Sequence, residues 1–198
     1  MNELNPEILR CTIDGPFGVA GKHDRKIFTD PAAELFGVYF FAIPYAGGGY
    51  IVSYVGKTKK SFRWRTREHM LNYMSGLYTA KDVDAQMRGE RRYLWYGLTK
   101  DYPYRMEEFL DRMPELVQMI QKKLRTMVVF TAPLDLENRM LLRVEGAFAQ
   151  HFSELDGPAG ALVTPKLRYS RRWESEAPLD LSVLCPFRIL GMPMRISV

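Results

Sequence analysis

The chain has 198 residues, 46% hydrophobic and 26% charged, the balance of one globular domain with a buried core and not of a disordered or fibrous protein. A formal charge of +5 and a pI near 9.2 permit a polyanionic partner without demanding one, so the distribution of charge matters more than its total. Two distant cysteines, Cys11 and Cys185, form no Cys-x-x-Cys pair. They leave zinc unsupported and are expected to be buried thiols in a reducing compartment. Met1 to Pro16 has no basic stretch ahead of an apolar run, and no apolar run reaches the length of a membrane span. No signal peptide, no membrane partner and a cytoplasmic location are expected.

In chain order, Ile8 to Ile13 predicts a weak strand ended by Asp14-Gly15-Pro16, with loop to Asp30. Leu35 to Ile43 predicts a strong strand stopped by Pro44. Tyr50 to Val55 predicts a second, ended by Gly56. The Gly-rich link between them makes the pair a β-hairpin. Ser61 is a suitable cap for a helix to about Leu77, on which Phe62, Arg65, His69 and Tyr73 share one side. Tyr78 to Glu90 reads as loop and Arg92 to Leu98 as a third strand. Glu107 to Arg125 reads as a helix kinked or divided by Pro114, and Met127 to Thr131 as a short strand. Asp135 predicts the N-cap of a helix to Phe152 whose apolar face is Leu141, Val144, Phe148 and Phe152. Beyond it the chain reads as irregular or β.

Chemistry-bearing residues concentrate between Gly37 and His69. Lys57, Lys59, Lys60, Arg63, Arg65 and Arg67 follow the hairpin, with Phe62 and Trp64 among them. Such a run attracts a phosphate backbone in a salt-sensitive way. Glu145 lies on the apolar side of its helix, where a carboxylate is costly unless paired or bound to a cation. Glu137, in the first turn, merely suits the helix dipole. His23 reads as a solvent-exposed loop residue and His151 as a satisfied helix histidine. Lys166 to Trp173, with Arg171 and Arg172, reads equally as a second nucleic-acid contact or a basic surface loop.

Gly37-Val38-Tyr39, then Tyr54-Val55-Gly56-Lys57-Thr58, then Arg65-x-x-x-His69 and a later Glu145-Gly146-Ala147-Phe148 together resemble the GIY-YIG nuclease signature. The resemblance spans about residues 35–152, with an insertion within 78–135 and a C-terminal extension at 153–198, all in one domain. It departs from the family in lacking an Asn after the glutamate. It implies an α/β (α+β) fold, with a small, mostly antiparallel sheet flanked by helices.

It also implies a DNA endonuclease, of restriction type, with repair or recombination nuclease and non-catalytic nucleic-acid-binding module as alternatives. Tyr39, Tyr54, Lys57, Arg65, His69 and Glu145 would be the catalytic set. Glu145 would bind Mg²⁺ or Mn²⁺, and Lys59, Lys60, Arg63, Arg67, Arg171 and Arg172 would bind double-stranded DNA. Tyr39 would help to activate water, with Lys57 and Arg65 lowering its pKa. His69 would relay a proton or orient Tyr39, and Tyr54 would position the nucleophile or phosphate. Cutting both strands would favour a homodimer.

Overall fold

The computed structural model describes residues 7–98, 105–164 and 172–198. Its strands are β1 (Glu7–Thr12), β2 (Asp14–Gly18), β3 (Gly37–Pro44), β4 (Tyr50–Thr58), β5 (Ala80–Lys81), β6 (Tyr93–Trp95), β7 (Val128–Pro133), β8 (Leu179–Leu184) and β9 (Arg195–Ser197). Its helices are α1 (Phe62–Met74), α2 (Val83–Met87), α3 (Arg105–Thr126) and α4 (Asn138–Glu154). The fold is α+β, built on an antiparallel sheet in the spatial order β2-β7-β3-β4. A smaller sheet, β1-β8-β9, packs on the same core, and β5 pairs with β6 apart from both.

β3 is the middle of this arrangement, and its apolar run reflects burial on both faces. Alternation sends Val38, Phe40 and Ala42 toward α4, where they meet Leu141, Val144, Phe148 and Phe152. Tyr39, Phe41 and Ile43 point the other way, into a second cluster with Phe62 and Met70 of α1. Gly37 is required where it stands. Its φ is +144°, and a Cβ there would overlap the Ala132 carbonyl of β7.

The hairpin forms as its sequence predicts, but β4 continues through Gly56 to Thr58. It also carries one extra residue. Phe41 pairs with Tyr54 and Ala42 with Val52, so Ser53 bulges, its Oγ donating to the Phe41 carbonyl at 3.1 Å. The bulge reverses the alternation. Val52 and Val55 both join the α4 core, while Tyr54 and Gly56 face Tyr39 on the α1 side.

Several expectations need correction. The first strand ends before Asp14 as expected, but Asp14-Gly15-Pro16 opens β2 within the stretch expected to be loop. The expected loop at 78–90 holds β5 and α2, which Asp82 caps by accepting from the Asp84 and Ala85 amides. The strand expected at 92–98 is only Tyr93–Trp95 and lies outside the main sheet. β7 supplies the third core strand, so the inserted elements run only from β5 to α3. Pro114 sits within an unbroken α3, because it and Leu110, whose carbonyl loses its helical donor, lie on the exposed face. Asp135 does not cap α4. Its side chain is 92% exposed, and Glu137 holds the cap position without a side-chain bond. Among the described residues, no helix is long and apolar enough to cross a membrane.

Candidate active site

Ser61 starts α1 by accepting from the Trp64 amide, which fixes the phase of the helix against the sheet. Arg65 and His69, four residues apart, then project toward the same strand residue. The Tyr39 hydroxyl lies 2.6 Å from His69 Nε2, and Arg65 Nε donates to it at 3.3 Å. A guanidinium only donates, so the Tyr39 oxygen accepts from Arg65, while the donor in its hydrogen bond with His69 Nε2 is set by the His69 tautomer. Arg65 Nη1 donates to Glu68 at 2.9 Å. Its Nη2 makes no hydrogen bond among the described residues. Tyr54 completes the group, with its ring centre 6.1 Å from that of Tyr39 and 5.2 Å from that of His69. Gly56 lets the tyrosine pass, since a Cβ there would overlap the Tyr39 ring.

Tyr39 is 1% exposed and His69 4% exposed, so their hydrogen bond is formed away from bulk water. Burial pushes the Tyr39 phenol well above its usual range, and neighbouring Tyr54 adds to the rise. Arg65 pulls in the opposite sense without reversing it. Tyr39 is therefore a neutral phenol at neutral pH. This corrects the expectation that Lys57 and Arg65 together would lower its pKa. Lys57 follows Gly56 on the strand and so faces the other way, donating to Asn138 Oδ1 at 2.5 Å.

Glu145 is 3% exposed, on the buried side of α4, whereas Glu137 is exposed and Glu90 pairs with Arg88 on the surface. Asn138, Glu145 and Ala149 fall on one helical stripe. At its ends, Asn138 touches Lys57, while Ala149 lines a small pocket with Tyr54 and Val55. α4 packs on the Val38, Phe40 and Ala42 face of the sheet, so Glu145 is carried on the side of Lys57, whereas Tyr39 and Tyr54 face α1 on the other side. The Glu145 carboxylate is an oxygen donor of the kind a hard divalent cation takes. Among the described residues no group of three or more His, Cys, Asp or Glu could hold a metal ion.

Part of the basic run is neutralised by its own fold. Arg63 pairs with Glu34 and donates to the Asp30 carbonyl, which ties it to the turn before β3. Lys59 approaches Asp135 at 3.8 Å, and Lys60 approaches Glu68 at 4.0 Å. Lys60 and Arg67 also flank the exposed Trp64 ring, at 4.7 and 5.6 Å from its centre. Arg172 donates to the Glu176 carbonyl, and Arg171 lies outside the described residues. His151 is satisfied by the Gly191 carbonyl at 2.8 Å. His23 is half-buried against the Arg125 carbonyl instead of exposed. Both cysteines are free thiols, but only Cys11 is fully buried.

A cavity of about 460 Å³ opens beside Tyr54 and His69, lined also by Tyr73, Tyr78, Lys81 and Lys123. Sequence reasoning passed over the two lysines. The signal was present for Lys123, which falls on the buried stripe Phe109, Leu116, Ile120 of α3. Its side chain is 5% exposed and its Nζ sits 4.2 Å above the Tyr73 ring centre. Burial pulls the Lys123 ammonium down from 10.5 to about 8.

Below about pH 8 the folded protein carries this charge at a cost, which is relieved as pH rises toward 10.5, where the unfolded lysine also loses its proton. Lys123→Met is accordingly expected to stabilise the protein at pH 7, by up to about 3 kcal/mol. That advantage should shrink between pH 8 and 10.5. Urea unfolding across this range checks both the sign and the window.

No protein-family model, curated protein sequence or solved structure matches the chain.

Proposed function

We propose that this protein is a metal-dependent endonuclease that hydrolyses phosphodiester bonds of double-stranded DNA, in the manner of the GIY-YIG nucleases that its motifs resemble. The observation that carries the reading is the Tyr39 hydroxyl held between His69 Nε2 and Arg65 Nε, on two elements 26 to 30 residues apart in sequence. A water attacking phosphorus passes a proton to the Tyr39 oxygen as the phenol proton moves to His69 Nε2. A neutral, buried phenol suits this relay better than it suits a resting base. Phosphorus gains the water oxygen, its bond to the 3′ oxygen breaks, and the leaving oxygen takes a proton from solvent. Arg65 Nη2 is positioned to donate to a non-bridging oxygen, and Tyr54 walls the approach. Glu145 would hold Mg²⁺ or Mn²⁺, which when bound would offset charge on the phosphate and the leaving oxygen.

A restriction-type role is supported by the elements inserted between α1 and β7, which offer surface for reading base edges. One catalytic set per chain implies two copies, or two successive nicks, for a double-strand cut. Purified protein incubated with phage-length DNA and supercoiled plasmid, in Mg²⁺, Mn²⁺ or EDTA, tests the proposal. Discrete fragments that vanish in EDTA are expected. Nicking or smearing would retain the nuclease and move it toward repair. Intact DNA under every metal would overturn the catalytic reading and leave a binding module, detectable by a salt-dependent mobility shift.

A further inference from the structure

The cavity beside Tyr54 and His69 has a chemistry that the relay does not use. None of its described lining residues is a carboxylate, yet two ammonium groups, Lys81 and Lys123, reach it. Among the described residues the Lys123 ammonium makes no ion pair and no hydrogen bond, although the residue is 5% exposed. A buried ammonium that meets only a tyrosine ring lacks the counter-charge such burial ordinarily demands. Lys81 is similarly short of anions. Burial lowers it to about 8, and the nearby positive charges of Arg91 and Lys123 push in the same direction. Tyr73, Tyr78 and Tyr93 supply ring surface around the two cations. Gln86, 1% exposed, lines the cavity and has a buried Oε1 without a hydrogen-bond partner among the described residues.

We propose that this cavity is a nucleotide subsite, in which Lys81 and Lys123 hold a phosphate group and the tyrosines pack against the sugar or base attached to it. Lysine binds phosphate as a compact point charge, and two of them on one wall match an anion of high charge density. Ring faces accept any base by stacking. A volume of about 460 Å³ is that of a small-ligand pocket and not of a groove that receives an intact duplex. Because Tyr54 and His69 form one wall, the bound nucleotide is a near neighbour of the scissile one. This placement rests on the nuclease reading, whereas the anion site itself does not. The strand would be held with one nucleotide drawn out of the stack beside the cut, which costs least where pairing is already broken.

The test is calorimetric titration of the full-length protein, without metal, with inorganic phosphate, thymidine 5′-monophosphate and an eight-nucleotide single strand lacking terminal phosphates. Wild-type protein is expected to bind the mononucleotide more tightly than phosphate. Lys123→Met and Lys81→Met are each expected to weaken mononucleotide binding tenfold or more, with the unfolding midpoint of Lys123→Met unchanged or raised at pH 7. Displacement of the mononucleotide by the single strand identifies a strand phosphate as occupant, and failure to displace identifies a free nucleotide. Equal affinity in wild type and both variants, or no binding of any of the three probes, overturns the proposal. Binding through Lys123 by a protein that cleaves nothing would sustain the subsite and end the nuclease reading. Cleavage without such binding would do the reverse.

Discussion

Glu145→Gln is expected to lower metal-dependent DNA cleavage by about 10³-fold, comparable to losing a principal electrostatic element of an active site. Glutamine keeps the shape of the side chain, so the buried packing of α4 against β4 persists and the loss reads out the charge alone. Glu145 is 3% exposed amid Val144, Ala147, Phe148 and Ala149, a setting in which alanine would confound charge with cavity formation. DNA affinity, measured by fluorescence anisotropy in EDTA, should change by less than about threefold, since surface cations dominate that term. Single-turnover cleavage with Mg²⁺ gives the comparison. Wild-type rates in the variant would remove Glu145 from the site and return the metal to an unidentified acid.

Tyr39→Phe should slow the chemical step by about 10²- to 10⁴-fold, the range for removal of a group that moves a proton. The ring remains to fill the space between Phe41, Tyr54 and His69, so packing is preserved. Only the hydroxyl shared by His69 and Arg65 is lost. Its removal leaves polar groups of the site short of a partner, at a folding cost of about 1–3 kcal/mol. A large fall in single-turnover rate with a small fall in unfolding free energy identifies a relay. A fall in stability with little change in rate would make Tyr39 a packing residue and shift water activation to His69 or to another group.

The site was legible where its spacing is local. Arg65 and His69 share a face by helix periodicity, and Tyr39 sits on the strand that the hairpin pattern marks, so three residues converge as read. Lys57 misled because motif adjacency hides strand alternation. One residue from Gly56 is enough to place a side chain on the opposite face. Glu68 was missed because its role is to hold Arg65 Nη1, and nothing in a helical charge pattern distinguishes that from a solvated pair. Lys81 and Lys123 come from separate inserted elements, and only the folded chain brings them to one cavity. Met127 to Thr131 was read as a short strand, where β7 forms, but its place in the core sheet was not read. Its partner β3 was hidden behind the whole insertion, beyond the reach of local pattern.

The bulge at Ser53 makes the hairpin two segments out of phase. Toward the turn, Val52 belongs to the α4 core. Toward the open end, Tyr54 and Gly56 face Tyr39 on the α1 side. Removing Ser53 would delete the bulge and leave Val52 and Tyr54 as consecutive residues on the faces they now occupy, whereas straightening β4 with Ser53 in place would put Val52 and Tyr54 on one face, either turning Val52 out of its core or sending Tyr54 away from Tyr39. The frame of the second motif is set by a residue that takes no part in it, and a chain with a perfectly alternating β4 of the same length would assemble the same hairpin around a divided site.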